Sequence, residues 1–245
     1  MRSFRFYLLL LLLLIPLGCE NSTSIEDRPF RITLVYDQQI PTWWRAALQR
    51  AAERWEQVIS HALPQVMLNI PGREFPLPGV GKTPPFWGSE QGTRIYVRPF
   101  YSTSVYPTAT AGPLLQRSLR SPTTVLGMIN INSFVKPEDL GPYYARMVAA
   151  HEIGHVLGLC VIITGTQPLW FDEPRGITKG KFTLEGYQKE FNVVVDSLDV
   201  GKDNHWQFAG DVMSTGGTFN RISYVSIGAL MDLGYPAVWE GEGRF

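Results

Sequence analysis

The 245-residue chain balances 22 Lys+Arg against 22 Asp+Glu, with 44% hydrophobic residues and only two cysteines. Balanced charge excludes an electrostatically driven nucleic-acid partner, and two cysteines are too few for a disulfide-built scaffold. The length suits a single domain with a proper core, and no internal repeat interrupts it.

The N-terminus reads first as an address. Tyr7 to Leu17 is an apolar run behind Arg2 and Arg5. It is too short to span a bilayer and matches a signal-peptide core, so residues 1–18 are expected to be removed. Pro16-Leu17-Gly18-Cys19 resembles the bacterial lipobox, although Pro16 stands where a leucine-like residue is usual. A lipid anchor at Cys19 is the expectation, giving an extracytoplasmic, membrane-anchored protein; a plainly secreted protein is the alternative. Residues 19–29 are polar and aperiodic, a flexible tether. Residues 30–245 form the expected single folded domain.

Phe30 to Tyr36 alternates apolar residues and predicts a strand. From Thr42 to Ser60, Trp44, Leu48, Ala51, Trp55, Val58 and Ile59 recur at three- and four-residue steps, predicting a helix that Pro64 closes off. Gln65 to Ile70 and Thr93 to Arg98 predict strands around a proline-rich loop. In that loop Gly79-Val80-Gly81-Lys82-Thr83 superficially suggests a phosphate loop, but Pro76 replaces the required first glycine and Pro84-Pro85 blocks the following helix. Val125 to Ile131 predicts a strand leading to a helix with Pro142 in its first turn, ending at Leu157. A last helix is predicted from Tyr224 to Leu233, with Gly234 and Pro236 as stop signals. The pattern implies an α/β (α+β) fold with a twisted mixed sheet and backing helices.

His151-Glu152-Ile153-Gly154-His155 carries the chemistry. Histidines four residues apart share one helix face, roughly 5–6 Å apart at Cβ, and can converge on one tetrahedral Zn²⁺. Glu152 is then free to act as general base toward a water acidified by the metal. Gly158 can adopt positive φ and end the helix just past the metal. Such a site needs a third protein ligand and an open fourth position. Two of the chain's four histidines remain, His61 and His205. His61 lacks a partner at metal spacing and reads as a solvated loop residue. A carboxylate ligand, Glu173, Glu185 or Glu190, would make a gluzincin-type hydrolase instead. A surface lipoprotein holding structural zinc and binding a partner without cleaving it is a third reading, which Glu152 disfavours. Cys160, among Leu159, Val161 and Ile162, reads as a small buried hydrophobe.

In the contiguous metzincin motif H-E-x-x-H-x-x-G-x-x-H the last histidine would replace Val161. However, His205-Trp206 followed by Asp211-Val212-Met213-Ser214-Thr215 resembles the leishmanolysin branch of the metzincins, where an insertion precedes the third ligand. Phe182 to Tyr187, Leu230 to Tyr235 and the helix around Ala51 to Ile59 extend the resemblance over roughly residues 30–240. It implies a zinc-dependent endopeptidase of metzincin-like fold acting on protein or peptide substrates. His151, His155 and His205 would be its ligands, Glu152 its base, and Met213 the hydrophobic floor beneath the metal. It also implies that Thr108 to Pro113 is the edge strand bordering the cleft, where an extended peptide could pair. A monomer with an irregular C-terminal half is expected, and the 159–204 insertion is expected to wall the substrate pockets.

Overall fold

The computed structural model describes residues 28–72, 84–118, 122–160, 171–172, 176–201, 205–214 and 220–244. The signal segment, Cys19, the glycine-lysine loop and Glu173 lie outside the described residues. No described helix is long and apolar enough to cross a membrane.

The fold is mixed α/β. The main sheet has the order β1-β4-β6-β5, built from β1 (Ile32–Tyr36), β4 (Thr93–Phe100), β6 (Thr124–Asn132) and β5 (Ala109–Gln116). The first three strands run parallel and β5 runs antiparallel to β6. The segment expected to border the cleft is thus an outer strand of this sheet. It pairs Ala109 with Ile131 and Ala111 with Ile129. The helix α1 (Thr42–Val58) connects β1 toward the sheet and buries every apolar position its periodicity marks. Alternation along the strands sends Ile95, Val97, Ile129 and Ile131 into the main core with the helices. Tyr96, Leu126 and Met128 form a smaller core on the opposite face with Val35, Ile70 and Leu114.

Two features escape the sequence reading here. β2 (Val66–Ile70) does not join the main sheet; it pairs antiparallel with β3 (Phe86–Glu90), a strand hidden behind the proline-rich loop. Helix α2 (Pro137–Leu157) starts before Pro142, with the Asp139 carboxylate accepting the Lys136 N–H at 2.8 Å. It breaks at Gly141 (φ 69), so Pro142 opens the second helical segment.

That second segment is fixed tightly. A Cβ on Gly127 of β6 would lie 2.3 Å from Val156 Cγ1, so the absent side chain lets α2 settle directly on the sheet. From the other side the Trp55 indole N–H donates to the Ala150 carbonyl at 2.9 Å, one residue before His151.

Beyond α2 the described strands are each two residues long. Three two-residue strands, β7 (Phe171–Asp172), β8 (Ile177–Thr178) and β9 (Leu198–Asp199), form a small sheet, and β10 (Arg221–Ile222) pairs with β11 (Gly243–Arg244). Residues 159–204 also contain a helix that the sequence pattern does not assign, α3 (Lys181–Phe191). It lies against α4 (Tyr224–Asp232), whose Asp232 carboxylate accepts N–H groups from Phe182 and Thr183 at the start of α3. Cys160, expected buried, is only partly so; it has left the helix with φ 53.

Candidate metal centre

The last two turns of α2 put His151 and His155 on one face, and the loop after β9 brings His205 to them. The Nε2 atoms of His155 and His205 each lie 3.0 Å from His151 Nε2. One ligand atom from each of the three residues lies within 4.8 Å of the others, close enough to hold one metal ion. Among the described residues this is the one such cluster of His, Cys, Asp or Glu.

The hydrogen bonds on the far side of two rings assign their protons. His151 Nδ1 sits 2.7 Å from the Val212 carbonyl oxygen, and His155 Nδ1 sits 3.0 Å from that of Leu159. A carbonyl can only accept, so both Nδ1 atoms carry hydrogen and donate. In the neutral rings Nε2 is then a bare lone pair on each. Two lone pairs 3.0 Å apart repel unless a cation lies between them, which is the donor set a metal needs. Burial keeps the rings neutral, pushing His151 down to about 4 and His155 to about 3, with the neighbouring histidines adding to the effect.

The local sequence explains both partners. Gly158 takes φ 102, ending α2 and swinging the Leu159 carbonyl back over His155. The helix stop therefore also orients a candidate ligand. Val212 belongs to the turn from Asp211 to Ser214, closed by the Ser214 N–H donating to the Asp211 carbonyl. That turn is stitched to the segment carrying His205, since the Trp206 N–H donates to the Met213 carbonyl at 3.0 Å.

Met213 is fully buried against α2. A Cβ on Gly154, between the two α2 histidines, would lie 2.3 Å from Met213 Sδ. The glycine in the motif thus makes room for the thioether. Glu152 is 6% exposed, and burial pushes its carboxyl up to about 8.

His205 is held through its neighbours. Trp206 is buried and donates its indole N–H to Ser226 Oγ at 3.0 Å. Phe208 stacks on Trp206 and meets Tyr187 and Phe191 of α3 edge-on, with ring centroids 5.3 to 6.3 Å apart. The insertion helix therefore grips the loop that carries the third histidine. Phe208 and Asp211 went unassigned from sequence; an aromatic three residues after a candidate ligand was the available signal for the first.

His61 stays apart from the cluster, half-buried with its Nδ1 2.9 Å from Ser60 Oγ. Of the carboxylates weighed as third ligand, Glu190 is ion-paired with Arg221 and Glu185 faces Lys181 at 3.9 Å. Neither joins the histidines. No protein-family model matches this chain, and no curated protein matches its sequence.

Proposed function

We propose that the chain is a zinc-dependent endopeptidase of the leishmanolysin-like metzincin type. The observation that carries the reading is the convergence of three imidazoles, two with Nε2 lone pairs fixed by backbone carbonyls, beside a buried glutamate. Three neutral nitrogen donors with no thiolate or carboxylate suit Zn²⁺ and leave a fourth position open. His151, His155 and His205 would hold the ion, which when bound supplies Lewis-acid polarisation of a carbonyl and acidifies water.

The chain's own groups supply the rest. Glu152, buried and next to His151 in the sequence, would accept a proton from the water and return it to a leaving amine. Met213 closes the base of the site with an apolar surface, and the carbonyls of Val212 and Leu159 keep the imidazoles in their ligating tautomer. The outer strand β5 offers main-chain groups for an extended peptide. The protein would be a monomer acting outside the cytoplasm, anchored through Cys19.

Incubation of the purified protein with a proteome-derived peptide library tests the proposal. Internal cleavage that a chelator abolishes and added zinc restores is the expected result. Stoichiometric zinc with no cleavage of any peptide would favour the structural-zinc surface lipoprotein instead.

A further inference from the structure

We infer that Asp211 is a positioning residue for the metal centre, setting His151, the Met213 floor and the His205 segment through one buried carboxylate. The inference rests on the metal-binding part of the proposed function.

Asp211 is fully buried and accepts four hydrogen bonds. Oδ1 receives the Met213 N–H at 2.6 Å and the Ser226 hydroxyl at 2.8 Å; Oδ2 receives the Ser223 N–H at 3.0 Å and the Ser223 hydroxyl at 2.5 Å. Each arm reaches a different part of the site. The Met213 N–H bond fixes the turn whose Val212 carbonyl accepts from His151 Nδ1. Ser226 is itself the acceptor for the Trp206 indole, beside His205. The Ser223 bonds tie the turn to the start of α4, where Ser223 is the N-cap. A carboxylate is required, because each oxygen faces one main-chain N–H that cannot reverse its role. In Asp211→Asn, whichever way the amide turns, its NH₂ opposes either the Met213 or the Ser223 N–H.

The test uses metal-free and cobalt-loaded full chain of wild type, Asp211→Asn and the milder Ser226→Ala, which keeps both main-chain bonds but leaves the Trp206 indole without its acceptor. Long-range proton–nitrogen NMR reads the His151 tautomer without metal, and Co²⁺ absorption reads ligand geometry. Wild type should show His151 protonated at Nδ1. The Asn variant should lose that single tautomer, and both variants should bind Co²⁺ at least about tenfold more weakly with an altered visible spectrum, the loss typical of disturbing groups behind a ligand. A folded Asn variant with the wild-type tautomer and spectrum overturns the inference. So does an unfolded Asn variant paired with a Ser226→Ala protein of unchanged spectrum and affinity, since the carboxylate would then only stabilise the fold. If wild type failed to bind Co²⁺ the metal reading would fall, and the tautomer comparison would still decide the role of Asp211.

Discussion

Gly154→Ala probes the contact that joins the two histidine-bearing turns of α2 to Met213. The added Cβ would lie 2.3 Å from Sδ and 3.2 Å from the Trp55 ring, so the thioether must retreat by more than about 1 Å to regain ordinary contact. Overpacking of this kind costs about 1–3 kcal/mol, and the better helix propensity of alanine returns about 1 kcal/mol. The net expectation is a loss of about 1 kcal/mol. Met213→Ala alone should cost about 3 kcal/mol, within the range for emptying a buried methionine site. In the double variant the clash disappears while the propensity gain remains, so the pair should be about 2 kcal/mol more stable than the sum of the singles. Urea unfolding of the metal-free proteins measures this. Additivity within about 0.5 kcal/mol would refute the contact and the floor role assigned to Met213.

Three further outcomes follow from the site. Folded Glu152 titrates near 8 instead of its ordinary 4.5, so between those values the native state holds the extra proton and its stability falls as pH rises. Metal-free Glu152→Gln should therefore gain stability relative to wild type from pH 5 to pH 8 by thermal unfolding; a constant difference would contradict the burial of the carboxyl. Phe208→Ala should weaken zinc retention in chelator competition by loosening the α3 grip on the His205 loop, with α1 and the main sheet unaffected by circular dichroism. His205→Ala should lower both zinc content by elemental analysis and peptide hydrolysis, whereas His61→Ala should change neither; full zinc and turnover in the His205 variant would return a carboxylate ligand to consideration.

The parts of the fold legible in the sequence are those encoded by short-range periodicity. The buried stripe of α1, the alternating faces of β4 and β6, and the spacing of His151 and His155 all depend on neighbours within a turn or a pleat. Gly158 was legible as a stop because positive φ is a local requirement. Its second consequence, the Leu159 carbonyl delivered to His155, depends on the path of the exit loop and was not. The β2–β3 hairpin and the clamp of α3 on Phe208 are set by which surfaces meet in three dimensions. Asp211 stood inside the quoted motif, but its role depends on Ser223 and Ser226, brought to it only when α4 closes over the turn.

Under the proposed function Glu152 performs proton transfer beside a metal held by three histidines. Glu152→Gln keeps the side chain's size and removes its basicity, so zinc content and peptide hydrolysis measured on one preparation separate binding from chemistry. The expected result is about one zinc per chain with hydrolysis reduced by at least about 100-fold, the scale of a lost general base. Near-wild-type hydrolysis in a variant that retains its zinc would contradict it.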